Sequence, residues 1–457
     1  MKQYFVSVAC CFVNIISYCT RLNINIAILE MVRKNDSTFT LAPYNESNFN
    51  SITNRHNQIP TYDWDKMTQQ TLLGAFYYGY TVMQIPGGIL AVKLGGKCII
   101  TFVIISMSLI SALSPWAASV HVGLLITLRI LDGVIKGMVI PAVFTLLSKW
   151  ANVGERSIMV SIVFAGKAFG GVIASYTSGL ICSSYKIGGW PMSFYIYSMF
   201  GAVLAILWIT FVSESPAEQD EYISNTPNQN KSRAIPLYDI FTSKPVWAIA
   251  VAKFSTTFAY NFFLIEVPTF FSNMFGVNVN KIGLLTSLPS CIAAVTGLLS
   301  AAVADYIIKQ KYLSILKTRH LFVVLGVVLS VVGFIPLVVT GYNVLAVEIL
   351  YIVFFAVHGF NSASVFPNAM DIADEYAGFV AGATHTFASC TGIIIPIVTG
   401  LLIKEQNSLE RWTVLFSLTG GINLLGMVYF VMFSEAEQQV WSEQKNNEDE
   451  RIGLINK

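Results

Sequence analysis

Long apolar runs separated by short polar breaks extend through nearly the whole chain. Twelve of these runs are about 18 residues or longer and carry few charges, which is the length that an α-helix needs to cross a bilayer. The predicted spans are residues 4–31, 67–92, 97–119, 121–148, 157–184, 192–213, 245–274, 281–307, 318–340, 343–368, 375–403 and 410–434. The pattern therefore predicts an all-α integral membrane protein with twelve transmembrane helices.

A long polar stretch divides these spans into two sets of six. We predict an N-terminal half at 1–213, a linker at 214–244, a C-terminal half at 245–434 and a tail at 435–457. Similar small-residue and basic sequences, "GGILAVKLGGK" and "SAAVADYIIKQK", follow the second and the eighth span. Their matching positions indicate two six-helix pseudo-repeats.

Composition agrees with a membrane protein and excludes several other classes. The 457 residues are 54% hydrophobic and 12% charged, whereas soluble domains carry about 25% charged residues. A net charge of +2 gives no indication of a nucleic-acid partner. The seven cysteines lie in or beside the spans, which argues against a disulfide framework and a CxxC metal site. With no enzyme motif recognisable, we expect no catalytic activity, cofactor or metal.

The distribution of basic residues predicts the orientation in the membrane. An even number of spans places both termini on one side. Loops on that side carry Lys93 and Lys97 after the second span, and Lys309, Lys311, Lys317 and Arg319 against Asp305 after the eighth span. Because basic loops stay in the cytoplasm, we expect both termini to be cytoplasmic.

Glycosylation sequons agree with that orientation. Asn35 and Asn45 begin Asn-X-Ser sequences in the loop 32–66, which the topology places outside. A third sequon, at Asn230, falls in the linker predicted to be cytoplasmic. We therefore expect glycans on Asn35 and Asn45, and none on Asn230.

Ionisable residues within the spans are the candidates for function, since a charge at bilayer depth is costly. Five are cationic and two are acidic: Arg21, Arg129, Lys136, Lys167 and Lys253, with Asp132 and Glu266. In "LRILDGVIKGM" the spacing of Arg129, Asp132 and Lys136 places all three on one helix face. The excess of cations predicts a water-filled cavity that receives an anion.

Four longer sequences narrow the interpretation to a family. "DWDKMTQQTLLGAFYYGYTVMQIPGG", "SKWANVGERS", "GGW" and "MDIADEYAGFVAGATHTFASCTGIIIP" resemble the anion:cation symporter family of the major facilitator superfamily. That family includes sialin, the vesicular glutamate transporters and the sodium-phosphate cotransporters. The resemblance runs from about residue 12 to about residue 435. It implies the major facilitator fold and secondary active transport of a small organic or inorganic anion by alternating access.

The resemblance also implies roles for individual residues. Arg129 matches the span-four arginine of the family's substrate site, with structural pairing as the alternative. Arg21 matches the span-one arginine, which contacts substrate or gates, although it could instead snorkel to the membrane surface. Asp132 matches an acidic position and is either a partner of Arg129 or a proton carrier. Lys136, Lys167 and Lys253 are further candidates for substrate binding, although the last two look specific to this chain.

Two departures from the family pattern bear on coupling. Sialin-like members read R-x-x-E-G-x-x-E-G in span four, and here Lys136 replaces the second acid. Ordinary proton symport is then in doubt, and Lys136 either takes the place of a bound cation or strengthens the positive field. Glutamate carriers have a histidine where this chain has Leu73 and an arginine where it has Thr256. The coupling candidates are Asp132, Glu266 and His385; the alternative for His385 is helix packing.

The sequence therefore predicts a cation-coupled anion transporter, with an anion, a co-transported proton or sodium ion and membrane lipid as partners. An anion exchanger, a potential-driven uniporter and a non-transporting sensor or scaffold are the alternatives. Phosphate, sialic-acid-like sugars, urate and amino-acid anions all fit a cationic site. Glu450, Leu454 and Ile455 resemble an acidic dileucine sorting signal, or form an ordinary solvated tail. We expect the plasma membrane or an endolysosomal or vesicular membrane.

Overall fold

The computed structural model describes residues 2–32, 60–182, 184, 186–216, 235–275, 279–340, 343–403 and 409–442. The sequons at Asn35, Asn45 and Asn230 lie outside these residues, as do Glu450, Leu454 and Ile455 of the predicted sorting signal.

Within its described residues, the N-terminal half consists of seven helices. They are α1 (Lys2–Met31), α2 (Lys66–Leu94), α3 (Gly96–Val120), α4 (Val122–Gly137), α5 (Val139–Trp150), α6 (Arg156–Cys182) and α7 (Gly189–Phe211). The fourth predicted span is divided between α4 and α5 at Met138. The N–H of Met138 donates to the carbonyl of Ile135, three residues earlier, so the last turn of α4 is tight. A single 3₁₀ turn at Val153–Glu155 precedes α6.

Among the described residues from 235 onwards there are nine helices. They are α8 (Leu237–Thr242), α9 (Lys244–Phe275), α10 (Val279–Lys309), α11 (Ile315–Thr340), α12 (Val344–Gly359), α13 (Val365–Ala373), α14 (Ala377–Ser389), α15 (Thr391–Ile403) and α16 (Leu409–Phe433). Short 3₁₀ turns at Phe360–Ser362 and Asp374–Tyr376 connect α12 to α13 and α13 to α14. Predicted spans ten and eleven therefore each consist of two consecutive helices.

Most of these helices are suited to a bilayer. Within the described residues, ten helical segments are long and apolar enough to cross a membrane. One of them, Val344–Thr399, is 56 residues long and covers two predicted spans. The 29-residue α2 is not among the ten, because its glutamine and tyrosine residues lower its mean hydropathy. The all-α membrane fold predicted from the sequence is confirmed.

Side chains and glycine define several helix boundaries. The carboxylate of Asp65 accepts the N–H of Thr68 at 3.1 Å and caps α2, and Asn343 caps α12 through the N–H of Ala346 at 2.8 Å. Gly95 separates α2 from α3 with φ of 87°, a backbone conformation that glycine adopts without the strain a side chain would cause. The chain can therefore turn sharply between two adjacent membrane helices.

Equivalent helices pack together in the two halves. In the N-terminal half α1 lies against α6 and α2 against α4, and in the C-terminal half α9 lies against α14 and α10 against α12. Glycine permits the close approach: a Cβ on Gly133 would overlap the carbonyl oxygen of Phe76, and one on Gly166 would overlap that of Cys11. The matching pairs are what a fold built from two six-span repeats requires.

The buried apolar clusters differ between the two faces of the bundle. We call the face where α1 begins and α16 ends the terminal face. The cluster nearest that face contains residues of both halves, such as Leu146 and Phe379. Towards the opposite face each half has a cluster of its own, represented by Trp190 in the N-terminal half and by Trp412 in the C-terminal half. The halves are therefore joined by their core at the terminal face.

Candidate functional site

The three charged residues of α4 lie on one face, as their spacing predicts. Asp132 is within 3.5 Å of the Arg129 guanidinium and 2.8 Å of the Lys136 ammonium. All three side chains are buried. One carboxylate is thus shared by two cations, so the triad retains a formal excess of one positive charge.

Lys136 is held more tightly than Arg129. It is 2% exposed, and besides Asp132 it donates to the hydroxyl of Thr20 on α1 at 2.9 Å. Arg129 donates to the carbonyl of Arg21 at 3.2 Å, and its Nε is buried without a hydrogen-bond partner among the described residues. The Arg129 guanidinium therefore keeps unused donor capacity, whereas the Lys136 ammonium is engaged on two sides.

Arg21 lies among aromatic rings. Its guanidinium carbon is 4.5–5.7 Å from four ring centroids, those of Tyr18, Phe76, Tyr77 and Tyr80. Ring faces attract cations, so the four rings stabilise the charge without neutralising it. Arg21 also lines the same cavity as Lys136. This position agrees with the substrate or gate interpretation better than with snorkelling.

A narrow space between the helices, which we call the central cavity, brings several of these groups together. Its lining residues come from spans one, two, four and five: Asn14, Ser17, Tyr18, Arg21, Phe76, Tyr80, Lys136, Val139, Ile140 and Lys167. Charged, aromatic and hydroxyl groups thus converge at one place between helices that are otherwise apolar. The polar residues Asn14, Ser17 and Thr20 on α1 were not predicted from the sequence, where nothing distinguishes them from other polar residues of membrane helices.

Two lysines of the site have no carboxylate partner among the described residues. The Lys167 ammonium lies 4.3 Å from the centre of the Phe164 ring. Lys253, which is 3% exposed, donates to the hydroxyl of Thr384 at 3.0 Å and lies 5.5 Å from the Phe144 ring centre. Phe144 belongs to the N-terminal half, so Lys253 reaches across the interface between the halves.

His385 also reaches the opposite half. Its Nε2 lies 3.4 Å from the hydroxyl of Tyr80, a lining residue of the central cavity. His385 is within electrostatic range of Arg21, Lys167 and Lys253. The structure therefore places this predicted coupling residue beside the cations of the site.

Among the predicted substrate-binding and coupling residues, all of which the structure describes, Glu266 is the one that lies elsewhere. It is 13 residues beyond Lys253 on α9, which corresponds to about 20 Å along the helix axis. Its carboxyl group lies near Thr399 on α15. Glu266 therefore cannot neutralise Lys253, and its proposed role in coupling receives no support from its position.

A network of charges at the terminal face joins the two halves, and it was not predicted. Arg156, at the start of α6, donates to the carbonyl of Met370 at 2.9 Å and lies 3.4 Å from Asp371 and 3.6 Å from Asp374. Residue 156 belongs to the N-terminal half and the other three to the C-terminal half. The motifs "SKWANVGERS" and "MDIADEYAG" contain these residues, but their pairing cannot be deduced from one sequence.

Asp305 and Arg319 complete this network. Asp305 accepts the N–H groups of Ser157 and Ile158, at 3.2 and 2.7 Å, from the first turn of α6. Arg319 binds Asp371 at 3.0 Å and donates to the Ser157 hydroxyl at 2.6 Å. Both residues were counted as loop charges in the sequence, which is wrong: they are buried, at 5% and 0% exposure, in α10 and α11.

Comparison with known proteins agrees with this architecture. The model of the Major Facilitator Superfamily matches residues 10–396. Sialin from Homo sapiens is 33% identical over 455 residues, covering 96% of this chain and 90% of sialin. Vesicular glutamate transporter 3 from Danio rerio is 31% identical over 479 residues, covering 99% of this chain and 76% of that transporter.

Solved structures show the same fold at low sequence identity. The transporter FucP in its outward conformation superposes with a TM-score of 0.62 at 14% identity, over 95% of this chain and 100% of FucP. An outward-facing bacterial homologue of ferroportin gives 0.63 at 11% identity, over 94% and 99% of the two chains. The chain therefore belongs to the major facilitator superfamily and, within it, to the anion:cation symporter family of sialin and the vesicular glutamate transporters.

Proposed function

We propose that this protein is a secondary transporter that carries a small anion across a membrane by alternating access. The observation that supports this most is the charge of the central region. Among the described residues, five cations lie there with one carboxylate, that of Asp132: Arg21, Arg129, Lys136, Lys167 and Lys253. Buried cations without partners are costly, and an anion entering from water offsets that cost.

Arg129 and Arg21 are the groups we assign to substrate binding. Arg129 has a free Nε, and a guanidinium can bind a carboxylate or phosphate through two parallel hydrogen bonds. The carbonyl of Arg21 accepts a hydrogen bond from Arg129, so the two residues are adjacent. The Arg21 guanidinium keeps its charge among the four aromatic rings described above. An anion between them would lie at the interface of α1 and α4. The names of the relatives, sialin and vesicular glutamate transporter, agree with an organic anion.

The arrangement of the halves supports alternating access. Within the described residues, the ion pairs and most hydrogen bonds between the halves lie at the terminal face. Lys93, Lys97 and Lys309 also lie on that face, which we therefore assign to the cytoplasm. The conformation would then be closed towards the cytoplasm. Transport requires these contacts to break while contacts at the opposite face form.

The coupling mode that the geometry favours is exchange or potential-driven uniport. In a symporter the carboxylate of Asp132 would be available to bind a proton or sodium ion. Here Lys136 lies 2.8 Å from Asp132 and occupies that position with a permanently tethered cation. Of the two roles considered for Lys136, this contact supports the one in which it replaces a bound cation. His385, beside the cations, is the remaining candidate for proton coupling.

A sensor or scaffold function is the rival from a different class. Such a protein would not need an excess of cations between two halves that can separate, so the charges of Arg21 and Arg129 count against it. The plasma membrane and an endolysosomal or vesicular membrane are both compatible with transport.

Uptake measurements on purified protein test the proposal. Proteoliposomes would be offered labelled phosphate, glutamate, urate and N-acetylneuraminate, with pH, sodium and membrane potential set independently. We expect saturable uptake of at least one anion, stimulated by a counter-anion or by an inside-positive potential. Absence of uptake for every anion under every gradient would contradict the proposal. Uptake that requires a proton gradient would support symport and assign coupling to His385 or Asp132.

A further inference from the structure

Lys167 and Lys253 are two cations that an anion held by Arg129 and Arg21 does not account for. Lys167 belongs to α6 in the N-terminal half and Lys253 to α9 in the C-terminal half. Lys253 donates to Thr384, the neighbour of His385, and His385 contacts Tyr80, which lines the central cavity together with Lys167. The interface between the halves therefore carries a positive charge on each side.

The hydrogen bond and ring contacts that the structure describes for the two lysines are all to neutral groups. The partners of Lys253 are the Thr384 hydroxyl and the face of Phe144, and Lys167 faces the ring of Phe164. These contacts orient the ammonium groups without cancelling their charge. A hydroxyl or ring face recovers only part of the solvation that an ammonium group loses on burial.

No carboxylate of the described residues is placed to neutralise the two lysines. Asp132 is already bound by Arg129 and Lys136. Glu266 is about 20 Å from Lys253 along α9. Asp305 and Asp371 are engaged at the terminal face by the N–H groups of α6 and by Arg319. The compensating charge has to come from the transported molecule.

We propose that the substrate carries two negative charges, one bound by Arg21 and Arg129 and the second by Lys167 and Lys253. This inference rests on the proposed function, since it specifies which anions the same cavity selects. Two chemistries satisfy it: a short dicarboxylate, and a tetrahedral oxyanion with two charges. A monoanion would satisfy the arginines and leave the two lysines without a counter-charge.

The second negative charge of the substrate also links substrate binding to the closure of the two halves around the cavity. When the halves approach each other around an empty cavity, the ammonium groups of Lys167 and Lys253 repel. An anionic group between them replaces repulsion by attraction to both sides. A dianion therefore favours the occluded state that alternating access requires, whereas a monoanion bound at the arginines does not reach this pair.

Matched pairs of small anions test the charge requirement without knowledge of the natural substrate. Succinate and succinamate have nearly the same shape but differ by one charge, and so do sulfate and methyl sulfate. The thermal stability of the full-length purified protein would be measured against the concentration of each, since a ligand of the native state raises it. Uptake of labelled succinate and sulfate into proteoliposomes would follow, with N-acetylneuraminate as a monoanion.

We expect at least one dianion to bind about tenfold or more tightly than its monoanionic partner, the effect of one charge-assisted hydrogen bond. The Lys167→Met and Lys253→Met variants should reduce this ratio towards one, while Lys309→Met, which removes an exposed lysine, should leave it unchanged. The ratio of the affinity for the dianion to that for the monoanion is informative, because a folding defect lowers the binding of both anions alike. Lys253→Arg should retain part of the preference.

Two results would overturn the inference of a doubly charged substrate while leaving the proposed function intact. One is binding of monoanions as tight as that of both dianions, and the other is an unchanged ratio in both lysine variants, as expected if the two ammonium groups were neutral. In either case anion transport itself would stand. If no anion of any charge bound or entered, the proposed function and this inference would fail together. The succinate and sulfate pairs distinguish a dicarboxylate from an oxyanion substrate.

Discussion

Lys136 and Asp132 form a buried ion pair at 2.8 Å, one turn apart on α4. The family pattern R-x-x-E-G-x-x-E-G implies an acid at the position of Lys136 in sialin-like relatives. This chain therefore has one carboxylate and one ammonium group where those relatives are expected to have two carboxylates. A tethered cation is thereby present at all times where a transported cation would have to bind and leave. This relationship is the physical basis for expecting transport without proton or sodium symport.

Restoring the acid tests this interpretation. The substitution Lys136→Glu would place two carboxylates one turn apart beside Arg129, and one of them would have to take up a proton because they share a single guanidinium. We expect anion uptake by the variant to become dependent on an inward proton gradient. Uptake at several pH gradients with the potential clamped measures this.

Lys136→Met is the matched control, because it removes the tethered cation without adding an acid. Removing one partner of a buried ion pair costs about 3–5 kcal/mol, so a lower melting temperature is expected. The account would be contradicted by a wild-type protein that is already steeply proton-driven and a Lys136→Glu variant with the same dependence.

Asp305 should stabilise the state that is closed at the terminal face. Its carboxylate accepts the N–H groups of Ser157 and Ile158 and faces the positive end of the α6 dipole. In Asp305→Asn an amide group would replace one of the two acceptors, at a cost of about 1–3 kcal/mol. We expect the open population at this face to rise about tenfold.

Spin labels at Asn152 and Lys309, exposed residues of opposite halves, would report this shift as a second, longer distance. The control is Glu214→Gln, which disturbs an ion pair between the first residue of the linker and Lys149 of the N-terminal half. Identical distance distributions in the wild type and Asp305→Asn would show that the carboxylate does not hold the halves together.

Some of this site could be predicted from the sequence and some could not. Arg129, Asp132 and Lys136 were placed together because helical periodicity fixes the geometry of residues three and four apart. Arg156 and Asp371 are 215 residues apart, and no local pattern connects them. Asp305 and Arg319 were misassigned to a loop because a count of charges near span ends does not distinguish buried from solvated side chains.

The broken spans have a similar explanation. Spans four, ten and eleven are continuous in hydropathy, so they were predicted as single helices. In the structure they break at Met138, at the 3₁₀ turn Phe360–Ser362 and at Cys390, where the backbone geometry changes inside stretches whose average hydropathy stays high. Glu266 was grouped with the site residues because it is an ionisable residue within a predicted span, but about 20 Å along α9 separates it from Lys253.

Glycosylation provides an independent test of orientation. We predict glycans on Asn35 and Asn45 and none on Asn230, because the positive-inside rule places the loop 32–66 outside. An N-glycosidase should sharpen and lower the gel band of the wild type, and the Asn35→Gln/Asn45→Gln variant should show no shift. A glycan on Asn230 would place the terminal face outside the cytoplasm.

The predicted sorting signal at Glu450, Leu454 and Ile455 can be tested in cells. If it is recognised, Leu454→Ala/Ile455→Ala should raise the fraction of protein at the cell surface, because internalisation would be lost. Surface biotinylation of a tagged protein measures that fraction. An unchanged surface fraction would identify the tail as ordinary solvated chain.

Arg129→Lys tests most directly whether the cations beside the central cavity bind the transported anion. The ammonium group keeps the charge but cannot form two parallel hydrogen bonds, so the initial rate of labelled anion uptake at low concentration should fall at least about tenfold. Lys309→Met, reconstituted at the same density, should transport like the wild type. Unchanged apparent affinity and rate in Arg129→Lys would contradict the account.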